Sequence, residues 1–211
     1  MNKTLCRTLP VLCVALAVVL LGTVAVAQDV YQVNYYANAQ TSGEPDATVY
    51  IDNPGANNFG YVCAMVYVFT YDQQMAECCG CGESPNNLDT LSVNSDLTSN
   101  PLTSTTPVTG VIKIVSAPDP GFCDPTSPYV PTPDLRAWAT HIQYVPVPAP
   151  AGTYYGYPIT ETRFLDASLS GAELAALQSQ CAFIGILGSG HGICTCGTGA
   201  LKPTKKGGKK K

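Results

Sequence analysis

Three cysteines fall within four positions at Cys78-Cys79-Gly80-Cys81, and two more stand one residue apart at Cys194-Thr195-Cys196, shortly after His191. Sulfur and imidazole at that density suit three chemistries: holding a soft metal ion, exchanging electrons between thiol and disulfide, or stapling the chain. A zinc or copper site would draw on Cys78, Cys81, His191, Cys194 and Cys196. Structural zinc sites usually pair two C-x-x-C knuckles. Here one knuckle is interrupted by Cys79 and the second half is C-x-C. A redox site would use Cys78 and Cys81 in the thioredoxin manner, which belongs to an alternating α/β chain that this sequence does not show. Covalent haem attachment needs a histidine where Gly82 stands.

Stapling meets fewer objections. Adjacent cysteines have Cα atoms about 3.8 Å apart, closer than a disulfide normally spans, so Cys78 and Cys79 need two separate partners. In an extended segment Cys194 and Cys196 face one side, about 6 to 7 Å apart, and suit two partners on one neighbouring segment. The cluster at 78–81 is the expected source of both, among many formal connectivities.

The compartment points the same way. Lys3 and Arg7 precede an apolar run from Val11 to Ala27 that closes in Ala25-Val26-Ala27, the layout of a secretory signal peptide cut before Gln28. An uncleaved anchor is the competing reading, because such a run sits at the lower edge of what spans a bilayer. Leu12 before Cys13 argues against a lipid-modified cysteine. Cleavage removes Cys6 and Cys13 and leaves eight of the ten cysteines: Cys63, Cys78, Cys79, Cys81, Cys123, Cys181, Cys194 and Cys196. An even number in an exported chain argues for disulfides throughout. The expected location is therefore secreted: periplasm, cell surface or medium.

Other reactive patterns are thin. Gly188-Ser-Gly-His-Gly192 follows a helical pattern and has no lysine after it, unlike a phosphate loop, and Ser189 lacks the frame of a nucleophile elbow. Of the two histidines, His141 lies in a strand-like run on the parity of Ala137 and Ala139 and reads as structural. Carboxylates are scattered singly, with no calcium-loop spacing. Tyr154, Tyr155 and Tyr157 in TYYGYP form a possible aromatic platform for sugar or polymer, although tyrosine is also an ordinary strand residue.

Charge is divided along the chain. All 15 acidic residues lie between Asp29 and Glu173, against three basic ones, Lys113, Arg136 and Arg163; the end KPTKKGGKKK carries six lysines. A basic tail on an acidic body would attract an anionic surface or polymer, or another copy of the chain. Specific nucleic-acid binding is not expected of an acidic body, and no membrane span is expected once the signal is removed.

The elements that must position these groups read as strands. Alternation or continuous apolar runs occur at 31–36, 47–52, 60–72, 90–95, 110–117, 135–145 and 159–166, separated by Pro, Gly, Asn and Ser. The run at 60–72 is apolar on both faces, with Cys63, Met65, Tyr67 and Phe69 on one and Val62, Ala64, Val66 and Val68 on the other, as a central strand should be. Residues 96–110 read as a long loop. Six prolines between 116 and 134 exclude regular structure there, and a bridge from Cys123 would pin that segment.

One helix is expected. Ser170-Gly-Ala-Glu173 has capping-box spacing with Leu169 and Leu174 as its staple, and Leu174, Leu177, Cys181 and Ile184 fall on one stripe. A bridge from Cys181 would tie that helix to the sheet.

The expected architecture is mainly β: an antiparallel β-sandwich of about seven strands with one short helix in the C-terminal half, stapled by disulfides. It comprises a signal peptide at 1–27, a single domain at 28–200 and a disordered Lys-rich tail at 201–211. The expected function is a non-enzymatic extracellular binding or structural role, with no cofactor. The alternatives are a Cys/His site for zinc or copper and an extracellular polymer hydrolase.

Overall fold

The computed structural model describes residues 29–55, 60–142, 145–149 and 152–197. The segment expected to be a signal peptide and the lysine-rich end lie outside the described residues. In chain order the strands are β1 (Asp29–Tyr36), β2 (Thr48–Asn53), β3 (Val62–Thr70), β4 (Met75–Glu83), β5 (Asn87–Ser92), β6 (Gly110–Pro118), β7 (Arg136–Ile142), β8 (Val145–Ala149), β9 (Gly152–Gly156), β10 (Ile159–Arg163) and β11 (Leu165–Ser168), followed by helix α1 (Gly171–Leu187). One sheet has the order β11-β1-β6-β3-β4, the other β10-β7-β2-β5, and every pairing within them is antiparallel. Among the described residues strands β8 and β9 pair with each other and with no other strand.

Strand β3 carries the division of the core. Val62, Ala64, Val66 and Val68 face the second sheet and meet Val49, Ile51, Leu91, Ala137 and Ala139. Cys63, Met65 and Tyr67 face the other way, under Leu177, Cys181 and Ile184 of α1. The molecule thus has three layers, sheet on sheet with the helix outside the five-stranded sheet. A strand buried on both faces has no polar side to offer, which is why its sequence is a continuous apolar run.

Nine strands form the two sheets, two more than the sequence suggested. Strand β4 went unread because CCGCG lacks the β-branched alternation that marks strands. The single run at 159–166 splits at Phe164, which is buried and donates its backbone N–H to Ala137 O at 2.9 Å. On one side of it β10 pairs with β7 and on the other β11 pairs with β1, so the chain passes from one sheet to the other there. The strand expected at 90–95 ends at Ser92 instead. Its Oγ accepts from Ser95 N at 2.8 Å and caps a π-helical turn, Val93–Leu97. A serine hydroxyl that competes for backbone donors favours such a cap over a continued ladder.

Helix α1 starts as its sequence dictates. Ser170 Oγ accepts from Glu173 N at 3.1 Å, and Gly188, in the left-handed region at φ 62°, closes the other end. Leu177, Cys181 and Ile184 are buried at helical spacing. No described helix is long and apolar enough to cross a membrane.

Candidate functional site

All eight cysteines of the domain are paired: Cys63 with Cys123, Cys78 with Cys181, Cys79 with Cys194 and Cys81 with Cys196. Side chains alternate along β4, so Cys78 leaves one face for the helix while Cys79 and Cys81 leave the other. The last two bonds have the same sequence separation, 115 residues, so their two segments run parallel with one register. Backbone pairing agrees: Cys78 N donates to Gly192 O at 2.9 Å and Cys194 N to Cys78 O at 3.3 Å, a parallel bridge. The segment 192–197 is laced to the edge of β4. Thr195 crosses to the neighbouring turn, its N–H and hydroxyl both donating to Asp96 at 3.0 Å.

The proline-rich segment after β6 is tied down by side chains that sequence patterning did not connect. Cys123 bonds to Cys63, Tyr67 Oη donates to Pro125 O at 2.9 Å, and Gln178 Nε2 of α1 donates to Ser127 O at 2.9 Å. Gly80 is required where this segment crosses β4, because a Cβ there would stand 2.4 Å from Cys123 O.

These three elements enclose a cleft of about 460 Å³. Its floor is Cys78 to Gly80 of β4. One wall is Cys181 and Gly185 of α1, another is Ile193 to Cys196, and the rim is Cys123 to Thr126. Every disulfide of the domain contributes a sulfur-bearing residue to the lining, so the walls are covalently fixed as well as apolar. Gly185 stands out. It lies inside a helix, where glycine costs roughly 0.8 to 1 kcal/mol against alanine, yet a Cβ there would meet nothing within 4 Å. Packing does not require it, and it stands on the helical wall of the cleft.

Asp124 is the acidic residue of the rim. Its Oδ1 accepts from Thr126 N at 2.9 Å and Thr126 Oγ1 at 2.7 Å, and its Oδ2 accepts from Ser127 Oγ at 2.6 Å. Burial alone would raise its pKa, but these hydrogen bonds to the charged form outweigh it and hold the carboxyl below its ordinary value. Among the described residues the one ion pair is Lys113 with Glu173, at 2.5 Å, so Asp124 stays without a cationic partner among them.

The residues of the metal reading take other places. Cys78, Cys81, Cys194 and Cys196 are each in a disulfide, and a metal ligand must be a free thiolate. His191 is exposed, with Nδ1 2.8 Å from Asn100 Oδ1. Among the described residues the ligand-type groups that gather within 4.8 Å are Cys79, Cys81 and Cys196, and Cys63, Asp119 and Cys123, so only Cys81 and Cys196 of the expected set come together. Of the aromatic platform, the side chains of Tyr154 and Tyr155 lie outside the described residues. Tyr157 Oη donates to Gly43 O at 3.2 Å. His141 is buried, stacked on Tyr35 at 4.1 Å between ring centroids, with Nε2 2.6 Å from Thr162 Oγ1.

The chain matches no family model, no curated protein and no solved structure.

Proposed function

We propose that this is an exported, non-enzymatic binding domain whose ligand seat is the cleft between α1, β4 and the laced segment 192–197. Four disulfides suit a non-reducing compartment, and the apolar run ahead of Gln28 supplies a route to it. The volume of the cleft falls inside the 300 to 1,000 Å³ usual for small-molecule sites, and apolar walls with one well-placed polar group are what such sites need. The observation that carries the reading is the cleft itself, to whose lining all four disulfides contribute and whose helical wall includes a glycine at position 185.

The test uses N-phenyl-1-naphthylamine, a neutral apolar fluorophore, titrated into the oxidised protein. One saturable site is expected. G185L should abolish binding by filling the cleft, whereas G185A should retain it and stabilise the protein by up to about 1 kcal/mol. Equal binding by wild type and G185L, with both folded, would overturn this seat.

A further inference from the structure

Resting on that binding reading, the geometry points to the class of ligand: we propose that the cleft takes a small amphiphile with an apolar body and a positively charged head, the head seated on Asp124. The body is set by the walls, where Pro125 and Ile193 continue the surface formed by the paired cysteines.

The head is set by charge. The Asp124 carboxylate is held in its ionised form by the side chains and backbone of Thr126 and Ser127, with Thr126 N and Oγ1 on Oδ1 and Ser127 Oγ on Oδ2. The same three bonds fix the carboxylate in place, so a ligand bears no cost of ordering it. Among the described residues no lysine, arginine or histidine lines the cleft, so a cationic ligand would bring Asp124 an ionic partner that these residues do not. An N–H of an ammonium group supplies both the donor and the charge, and a charge-assisted bond is roughly twice as strong as a neutral one. A carboxylate-headed amphiphile would meet Asp124 with like charge, and an alcohol would bring no charge to it.

The experiment compares three ligands with one chain and different heads, decylammonium, decanol and decanoate, by calorimetric titration of the oxidised protein below their aggregation limits at pH 7. Decylammonium is expected to bind at least tenfold more tightly than decanol, with decanoate showing no saturable binding. D124N should reduce the ammonium affinity to that of decanol. E161Q, the same change of charge on the exposed strand β10, should leave the preference intact, and circular dichroism checks that D124N is folded. Decanol binding as tightly as decylammonium would overturn the cationic head while leaving the seat standing. A preference that survives in D124N would also overturn it, by tracing the attraction to the acidic surface at large. If none of the three binds, the seat itself fails.

Discussion

At the scale of single residues, β4 sets a problem that its disulfides hide. The strand turns Glu77, Cys79, Cys81 and Glu83 toward the space between the sheets, and both glutamates are fully buried. Glu77 Oε1 accepts from Asn100 N at 2.7 Å and Glu83 Oε2 from Asn87 Nδ2 at 2.6 Å, while Glu77 Oε2 and Glu83 Oε1 have no hydrogen-bond partner among the described residues. Burial pushes both carboxyls from 4.5 up to about 7, and for Glu83 the neighbouring Asp89 adds to the rise. The folded chain therefore keeps protons that the unfolded chain loses between pH 4.5 and 7. Their stabilisation is fully present below pH 4.5 and is lost as pH rises through about 7, at most about 1.4 kcal/mol per pH unit for each group. Urea unfolding across pH 4 to 8 should show stability falling with pH. E83Q, which imitates the protonated form, should flatten that fall and unfold at higher urea than wild type at pH 8. A wild type whose midpoint does not change with pH would count against this account. None of it was legible beforehand, because the sequence shows two glutamates flanking a cysteine cluster and nothing of which face they take. The cleft was hidden for a related reason: Gly185 sits in an expected helix and Asp124 in an expected loop, and only tertiary packing brings them to one surface.

At the scale of elements, the four disulfides differ in what they contribute. Cys63–Cys123 closes a loop with a sequence separation of 60 that no other bond shortens. Cys81–Cys196 closes almost nothing new, because Cys79–Cys194 already holds the same two segments in register and the added ring contains only residues 79 to 81 and 194 to 196. Loop-closure entropy grows with the logarithm of loop length. In the chain-entropy model the first bond is worth about 4 kcal/mol and the last about 2 kcal/mol. The pair C63A/C123A should thus destabilise the oxidised protein more than C81A/C196A does, as read from denaturant midpoints without reductant. The reverse order would show that native packing around the sulfurs, and not the unfolded chain, sets their worth. Element identity was more legible than element partners. The two-faced apolar run of β3, the Ser170 cap of α1 and the stripe of Leu177, Cys181 and Ile184 follow from period and cap chemistry alone, whereas Glu173 pairs with Lys113. The C-x-C spacing at 194–196 suited two partners on one segment, and Cys79 and Cys81 fill that place. Strand β4 and the break at Phe164 were illegible because each depends on what lies across the sheet: β4 is held as a strand by β3 and the laced segment, and Phe164 by the space between two sheets.

At the scale of the whole molecule, the balance of charge governs how the layers tolerate one another. The domain carries 15 acidic residues against Lys113, Arg136 and Arg163, and the fold neutralises few of them. Lys113 pairs with Glu173, while Arg136 donates to the carbonyl oxygens of Pro133 and Leu135. Unpaired like charges on a compact body repel, and the unfolded chain spreads them apart, so self-repulsion lowers stability. Salt screens that repulsion over a Debye length of about 10 Å at 0.1 M. The melting temperature should therefore rise with sodium chloride at pH 8, by a smaller increment at pH 5, where carboxyl protonation removes part of the charge. Potassium chloride should give the same increments, since screening depends on ionic strength and not on the cation. A melting temperature that falls with salt at pH 8 would instead show that attraction outweighs repulsion. The six lysines beyond Ala200 are the one concentrated source of positive charge in the sequence, and a chain ending before Lys202 would then lose the salt-sensitive stabilisation. The sign of a single salt titration thus decides whether the acidic domain stands against its own charge or is held by the lysine-rich end.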